Sequence, residues 1–324
     1  MMEEKNPKSG PFDALMILGP TASGKTALSL ALSEKLDIEV ISVDSALVYR
    51  GMDIGTAKPM AEERGGVPHH LIDVRGIGEP YSVADFVSDC GRLIPEIQAR
   101  GRLPVLAGGT MLYANALMKG IAELPATSPE VRAAVQEEGL SKGWPAMHAE
   151  LAAFDPATAA RLAPADSQRI SRAIEVYRMT GKTLSELIAK QQSAPPPFNI
   201  FTAALIPGDR ARLHANIEKR FDLMLEAGFL DEMRGLSAEP GFDPASPAMR
   251  SVGYRQAIEF LEGRVDRKTF REKAVAATRQ LAKRQITWLR AMAIQAAFDP
   301  YSDAMPGEAI EYLAARAWKT GQGA

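Results

Sequence analysis

An α/β fold, a parallel sheet with flanking helices plus a helical insertion domain, is predicted by three features of the sequence. Short apolar runs alternate with helical patterns, a glycine-rich loop joins the first run to the first helix, and the alternation lapses in mid-chain. Apolar runs at Ala14–Leu18, Glu39–Val43 and Leu103–Ala107 read as buried strands, with helices at Ala27–Leu36 and Asp85–Arg100 between them. From Ser128 to about Gln192 no strand is evident, and Trp144-Pro145, Asp155-Pro156 and Ala163-Pro164 punctuate helical stretches. Pro195-Pro196-Pro197 forms a stiff spacer, after which Ile200–Ile206 resumes the sheet. Helices follow at Asp209–Ala227, Gly253–Gly263 and Asp266–Met292, then a last strand at Ile294–Phe298. The expected division is a core over 1–125, an insertion over 126–198 and core completion over 199–324.

The 324 residues are 46% hydrophobic and 24% charged, enough for a large core and a smaller domain. No apolar run is long enough to span a bilayer, and Met1–Pro11 lacks the apolar centre of a signal peptide. The single cysteine, Cys90, allows no internal disulfide and no Cys-based zinc cluster. A cytoplasmic monomer with no membrane association is expected. Charge is unevenly spread: Arg250–Arg290 holds eleven Lys/Arg against four acids, or +7, while the remainder carries −9. That asymmetry is the footprint of a polyanion site, although a solvated helix face is the plainer alternative.

Gly19-Pro20-Thr21-Ala22-Ser23-Gly24-Lys25-Thr26 matches G-x-x-x-x-G-K-[ST], with a strand before it and a helix after it. The glycines let successive N–H groups turn toward an anion at the positive end of the helix. Lys25 adds charge, and the Thr26 hydroxyl is placed to ligate Mg²⁺. The sheet is therefore of the P-loop NTPase-like kind. Val40-Ile41-Ser42-Val43-Asp44-Ser45 puts Asp44 at the carboxyl end of a strand, where ligands collect in parallel sheets. Asp44 could hold magnesium through water or act as a base toward a second substrate, and the motif alone leaves a small-molecule kinase open.

These residues resemble the tRNA dimethylallyltransferases (tRNA isopentenyltransferases), of the bacterial type without a zinc finger. GPTASGKT at 19–26 is followed in order by ISVDSALVYRGMDIGTAKP at 41–59, HHLIDV at 69–74, YSVADF at 81–86 and AGGTMLY at 107–113. Then come RISRAIEVYRMTGKTLSEL at 169–187, SVGYRQ at 251–256 and ATRQLAKRQITWLR at 277–290, so that the likeness covers nearly the whole chain. The resemblance implies transfer of a dimethylallyl group from dimethylallyl diphosphate to the exocyclic amine of the adenosine just 3′ of the anticodon in tRNA, with Mg²⁺. Enzymes that prenylate free adenine nucleotides share the loop and the Asp-Ser pair and are the nearest alternative. The insertion and the basic segment favour tRNA. A non-catalytic RNA-binding protein is the remaining one.

The resemblance assigns Asp44 as the base and Thr110 and Arg220, with Lys25 and the loop, to the leaving diphosphate. It assigns Ser45, Ala46 and Leu47 to the target nucleotide, while on the insertion helix Gln168, Arg169 and Arg172 read, from the helical pattern itself, as available to hold the tRNA backbone, with the arginines facing outward. Further tRNA contacts implied are Arg250, Gly253, Tyr254, Arg255, Arg279, Gln280, Lys283, Arg284 and Gln285. In the last long helix, Ala274, Ala277, Leu281 and Trp288 form one apolar seam, which leaves Arg279 and Lys283 to face phosphate. On the insertion helix the stripe Ile170, Ile174 and Tyr177 packs inward. Thr110 also reads as the cap of a helix at Met111–Leu117. His69-His70 lacks ligand partners at metal spacing and reads as a hydrogen-bonding pair, Cys90 as core, and Met111 and Met118 as packing residues.

Overall fold

The computed structural model describes residues 12–120, 124–125, 128–190 and 198–317. Elements follow in the order β1 (Ala14–Leu18), α1 (Lys25–Ser33), β2 (Ile38–Val43), β3 (His69–His70), α2 (Val83–Ala99), β4 (Leu103–Gly108) and α3 (Met111–Lys119). Next come α4 (Pro129–Lys142), α5 (Trp144–Phe154), α6 (Pro156–Ala159), α7 (Ser167–Thr180) and α8 (Leu184–Lys190). The chain then runs through β5 (Ile200–Leu205), α9 (Arg210–Glu226), α10 (Phe229–Ser237), α11 (Tyr254–Leu261), α12 (Arg267–Ala291), β6 (Ala296–Phe298) and α13 (Gly307–Arg316). They fall into two compact units, Lys119–Pro195 and the rest of the chain, a division a few residues earlier at each end than the sequence places it. The tri-proline spacer lies outside the described residues.

The larger unit holds one six-stranded sheet, ordered β3-β2-β4-β1-β5-β6 and parallel throughout. β1 is fully buried along its length because both faces are covered. Ala14, Met16 and Leu18 join one core and Leu15 and Ile17 the other, as the two-residue period of a strand requires. The first core is completed by α2, α3, α9, α10, α11 and α12, the second by α1 and α13.

Several boundaries move for local reasons. α2 starts at Val83, ahead of the expected Asp85, because Ser82 and Asp85 make a reciprocal capping box. β3, α10 and α13 are additional to the expected elements. β3 has only two residues, too few for a periodic signal, and exists because His69 and His70 pair alongside Val40 and Ile41. His70 Nε2 lies 2.6 Å from Glu39 Oε2, and His69 Nδ1 lies 2.8 Å from the Val67 carbonyl. Glu39 also accepts from Arg100 and Arg102, and the Arg100 bonds above all hold its buried carboxyl down at about 2. Cys90 is fully buried, Met111 nearly so, and Met118 packs against the same core.

The smaller unit is helical, centred on Val135, Met147, Leu151, Ile170, Ala173 and Ile174. Two of the three X-Pro steps punctuate without abolishing helix because Pro145 and Pro156 sit in the first turns of α5 and α6, as Pro129 does in α4, where a missing N–H costs nothing, while Pro164 lies in the turn before α7. Tyr177 stacks on Phe154 with ring centroids 4.1 Å apart.

Candidate active site

Three loops leave the carboxyl ends of adjacent strands β2, β4 and β1 and converge. Their common edge is the one at which ligands bind in open parallel sheets. The loop after β1 runs from Gly19 to Gly24. Gly24 has φ 82°, and a Cβ on Gly19 would sit 2.6 Å from Ser23 Oγ, so both positions require glycine. After β4, a Cβ on Gly108 would sit 2.1 Å from the Val43 carbonyl oxygen, which lets β2 and β4 end flush. The N–H groups of Gly109 and Thr110 both donate to that same carbonyl, at 3.1 and 3.0 Å.

Between these loops and helices α9 and α12 lies a cavity of about 200 Å³. Lys25, Thr26, Asp44 and Arg220 supply its polar wall, and Ile217, Phe221, Met224, Val252 and Leu281 its apolar wall. Asp44 Oδ1 accepts from the N–H groups of Ala46, at 2.8 Å, and Leu47, at 3.4 Å. Its other oxygen has no protein partner among the described residues. The turn-capping and chemical readings of Asp44 are thus both accommodated, one by each oxygen.

Opposite stand two enclosed cations. Lys25 donates to the Pro20 carbonyl at 2.7 Å, and Arg220 to the Thr21 hydroxyl. Burial, reinforced by Arg220 and opposed by Asp44, pulls the Lys25 ammonium down to about 8. Burial also lowers the Arg220 guanidinium, with Asp44 opposing. Two desolvated cations facing one carboxylate leave the chamber with an excess of positive charge, a site that favours an anion. Thr110 is set back from the cavity lining. Its Oγ1 accepts from the Ser45 N–H at 3.0 Å and lies 3.3 Å from Ser45 Oγ, tying the Gly108–Thr110 turn to the Asp44 loop.

Thr26 lines both this cavity and a neighbouring pocket of about 40 Å³ shared with Ser29 and Ser42. Ser42 Oγ is buried there without a partner. No group of three or more His, Cys, Asp or Glu among the described residues is placed to hold a metal. The Thr26 hydroxyl, which lines both pockets, is an oxygen of the kind that would hold a Mg²⁺ here.

A model of the family described as IPP transferase matches residues 47–292. This chain belongs to the IPP transferase family. Among curated relatives, the tRNA dimethylallyltransferase of Burkholderia orbicola is 54% identical over 94% of this chain and 96% of its own length. That of Burkholderia thailandensis is also 54% identical, over 92% of this chain and 93% of its own. The full-length tRNA isopentenylpyrophosphate transferase of Bacillus halodurans is a structural neighbour at TM-score 0.68 and 37% identity, covering 93% of this chain and 94% of that one. A eukaryotic dimethylallyltransferase acting on tRNA superimposes at TM-score 0.77 with 26% identity, over 95% of this chain and 81% of its own.

Within this family member, the residues assigned to tRNA divide by exposure. Ser45, Arg250, Arg255, Gln280, Lys283 and Arg284 are exposed, and Ala46 and Leu47 line the cavity. Others are not presented to a polyanion. Tyr254 is fully buried, its hydroxyl 2.5 Å from Glu232, and Gly253 is buried with its backbone on the cavity wall. Gln285 is 7% exposed and bonded inward. Arg279 is half-buried and donates to Glu218 at 2.9 Å, so it does not face outward beside Lys283.

The expected seam of α12 is corrected too. Trp288 is 41% exposed, and the buried face is Phe270, Ala274, Val275, Ala282, Gln285, Ile286 and Leu289. Helical spacing alone let Trp288 extend the stripe, but it lies outside the buried face of the helix. In the helical unit, Gln168 and Arg169 are exposed, with Arg169 Nε 2.6 Å from Asp166. Arg172 is half-buried and donates to the Pro125 carbonyl at 2.8 Å.

Glu232, on α10, escaped sequence reasoning. Its carboxylate accepts from the N–H groups of Asp53, Ile54 and Gly55 at 2.9, 2.6 and 3.1 Å, and so fixes the loop that brings Gly55, Thr56 and Ala57 to the cavity. Lys58 anchors the same loop, bonding Asp53 and Asp73. Glu232 lies 177 to 179 positions from its partners, too far to leave a local signal.

Proposed function

We propose that this enzyme transfers a dimethylallyl group from dimethylallyl diphosphate to the exocyclic N6 of the adenosine 3′-adjacent to the anticodon of tRNA, releasing diphosphate. The observation that carries this reading is the single cavity in which the free oxygen of Asp44 opposes Lys25 and Arg220, with an apolar wall between. The N6 lone pair is delocalised into the purine ring. A carboxylate that accepts the N6 proton raises its nucleophilicity as the new C–N bond forms. The bond from the allylic carbon to the diphosphate oxygen breaks, and the electron pair stays on that oxygen. Lys25, Arg220 and the loop N–H groups stabilise the growing charge. Bound Mg²⁺ supplies further neutralisation of the diphosphate. The apolar wall of Ile217, Phe221, Met224 and Leu281 accommodates the hydrocarbon and excludes water from the cation-like carbon.

A monomer is part of this reading, and no helix among the described residues is long and apolar enough to cross a membrane. Cytoplasmic tRNA is the acceptor this reading requires. Incubation with unmodified tRNA, dimethylallyl diphosphate and Mg²⁺ is expected to add the mass of one dimethylallyl group to an adenosine of the anticodon loop. ATP hydrolysis without RNA modification would reinstate a kinase, and modification of AMP in preference to tRNA a free-nucleotide enzyme.

The basic face of α12 is expected to engage tRNA phosphates through Lys283 and Arg284 rather than Arg279, which Glu218 already neutralises. Replacing Lys283 and Arg284 by alanine should flatten the log–log salt dependence of tRNA binding by roughly one and a half to two units. Arg279→Ala should change it by less. Salt titrations of the variants side by side decide this. Equal slopes for wild type and double variant would leave the +7 segment as a solvated helix face.

A further inference from the structure

Gln285 sits on the buried side of α12, next in sequence to the exposed Lys283 and Arg284, and its amide is used at both ends. Oε1 accepts from the Thr21 N–H at 2.8 Å, and Nε2 donates to the Gly109 carbonyl at 2.8 Å. One side chain therefore bridges the phosphate loop after β1 and the glycine turn after β4. That turn is bonded to the end of β2 through Val43 and to the Asp44 loop through Thr110 and Ser45. The connection runs from the anion cradle to the carboxylate with no gap.

Chemistry restricts which residue can do this. Glutamate offers only acceptors, lysine only donors and methionine neither, whereas a primary amide offers both from one planar group. The glycine at 109 belongs to the same device: a Cβ there would lie 2.4 Å from Gln285 Nε2, while its next contact, the Gly19 carbonyl oxygen, would be at 3.2 Å. Gly109 leaves room for the amide.

We propose that Gln285 is a positioning residue that sets the separation between the phosphate loop and the Gly108–Thr110 turn, and so the alignment of the donor carbon with Asp44. The proposal rests on the activity read above. It makes α12 two-sided: its outer basic residues hold the acceptor RNA, and its inner amide holds the donor loops in register.

Steady-state kinetics of Gln285→Met, which keeps length and volume without either hydrogen bond, test it. Losing two hydrogen bonds that act on the reacting geometry is expected to lower kcat/KM for dimethylallyl diphosphate by roughly 10- to 100-fold, while tRNA affinity stays within about twofold. Gln285→Glu keeps the acceptor for Thr21 but offers Gly109 no donor, and its expected defect also lies on the donor side. Thermal denaturation reports whether each variant is folded.

A double-mutant cycle adds a readout that survives a poorly folded Met variant. Gly109→Ala should be severe in the wild type but cost less than about threefold more when added to Gln285→Ala, because the clashing amide is gone. Additive losses, or a Met variant that loses tRNA affinity with donor kinetics unchanged, would overturn the assignment. A wild type that ignores dimethylallyl diphosphate would overturn the activity reading together with this proposal, whereas wild-type turnover with unaltered Met kinetics would overturn this proposal alone.

Discussion

Asp44→Asn is expected to lower kcat for prenyl transfer by roughly 10²- to 10⁴-fold, the usual contribution of a general base, with tRNA affinity nearly unchanged. The asparagine is chosen because the two carboxylate oxygens do different things. Oδ1 caps the turn by accepting from the Ala46 and Leu47 N–H groups, and an asparagine oxygen can continue to do so. The other oxygen, which has no protein partner among the described residues, becomes an amide nitrogen that cannot take a proton. Asp44→Ala removes both functions and should lose at least as much activity, with an added cost in loop order. Single-turnover rates on saturating tRNA and donor separate the two. Should Asp44→Asn turn over at near the wild-type rate, the carboxylate is only a turn cap and the proton goes elsewhere.

Lys25→Ala is expected to cost roughly 10²- to 10³-fold in kcat, the range found when one preorganised donor to a developing anion is lost, and to weaken donor binding as well. Its environment adds a pH signature. In the free protein the ammonium is held down at about 8 by burial first and Arg220 second, so that above this pH the side chain is increasingly neutral. A bound diphosphate favours the charged form, which raises the lysine back toward its ordinary value. Binding therefore takes up a proton between about 8 and 10.5, and none well below 8, where Lys25 is already protonated. The sign follows: donor affinity is highest below pH 8 and declines as pH rises through that window. Calorimetry of dimethylallyl diphosphate binding in buffers of different ionisation enthalpy measures the uptake directly. Lys25→Arg should abolish it, since a guanidinium stays charged throughout. Proton uptake that persists in Lys25→Arg would place the titrating group outside the phosphate loop.

Much of this molecule could be read without coordinates because the relevant signals are local. Each of the four central strands β2, β4, β1 and β5 is a short, largely apolar run buried on both faces, and each of the two glycine turns at the site follows such a run directly. The glycine-rich loop is contiguous in sequence, so the spacing of Gly19, Gly24, Lys25 and Thr26 carries its own geometry. Asp44 was legible because a carboxylate at the carboxyl end of a buried strand has few places to go. Capping explains the residual errors at helix ends: Ser82 starts α2 two residues early through a side-chain bond that hydrophobic periodicity does not register.

By itself the sequence determined the parallel α/β core with its helical insertion, the glycine-rich loop after β1, the carboxylate at the strand end and the family. Those follow from hydrophobic period and contiguous motif. Only the tertiary structure decided which residues of the basic segment face solvent and which are bonded inward. Gln285 is tied to Thr21 and Gly109, 264 and 176 positions away. Arg279 is neutralised by Glu218, 61 positions away, and Glu232 fixes a loop 177 to 179 positions away. A helix presents a different face every 100° or so, and what each face meets depends on how distant segments pack. Neighbours in sequence such as Lys283, Arg284 and Gln285 were therefore alike on the page, and were sorted into solvent and interior only by the fold.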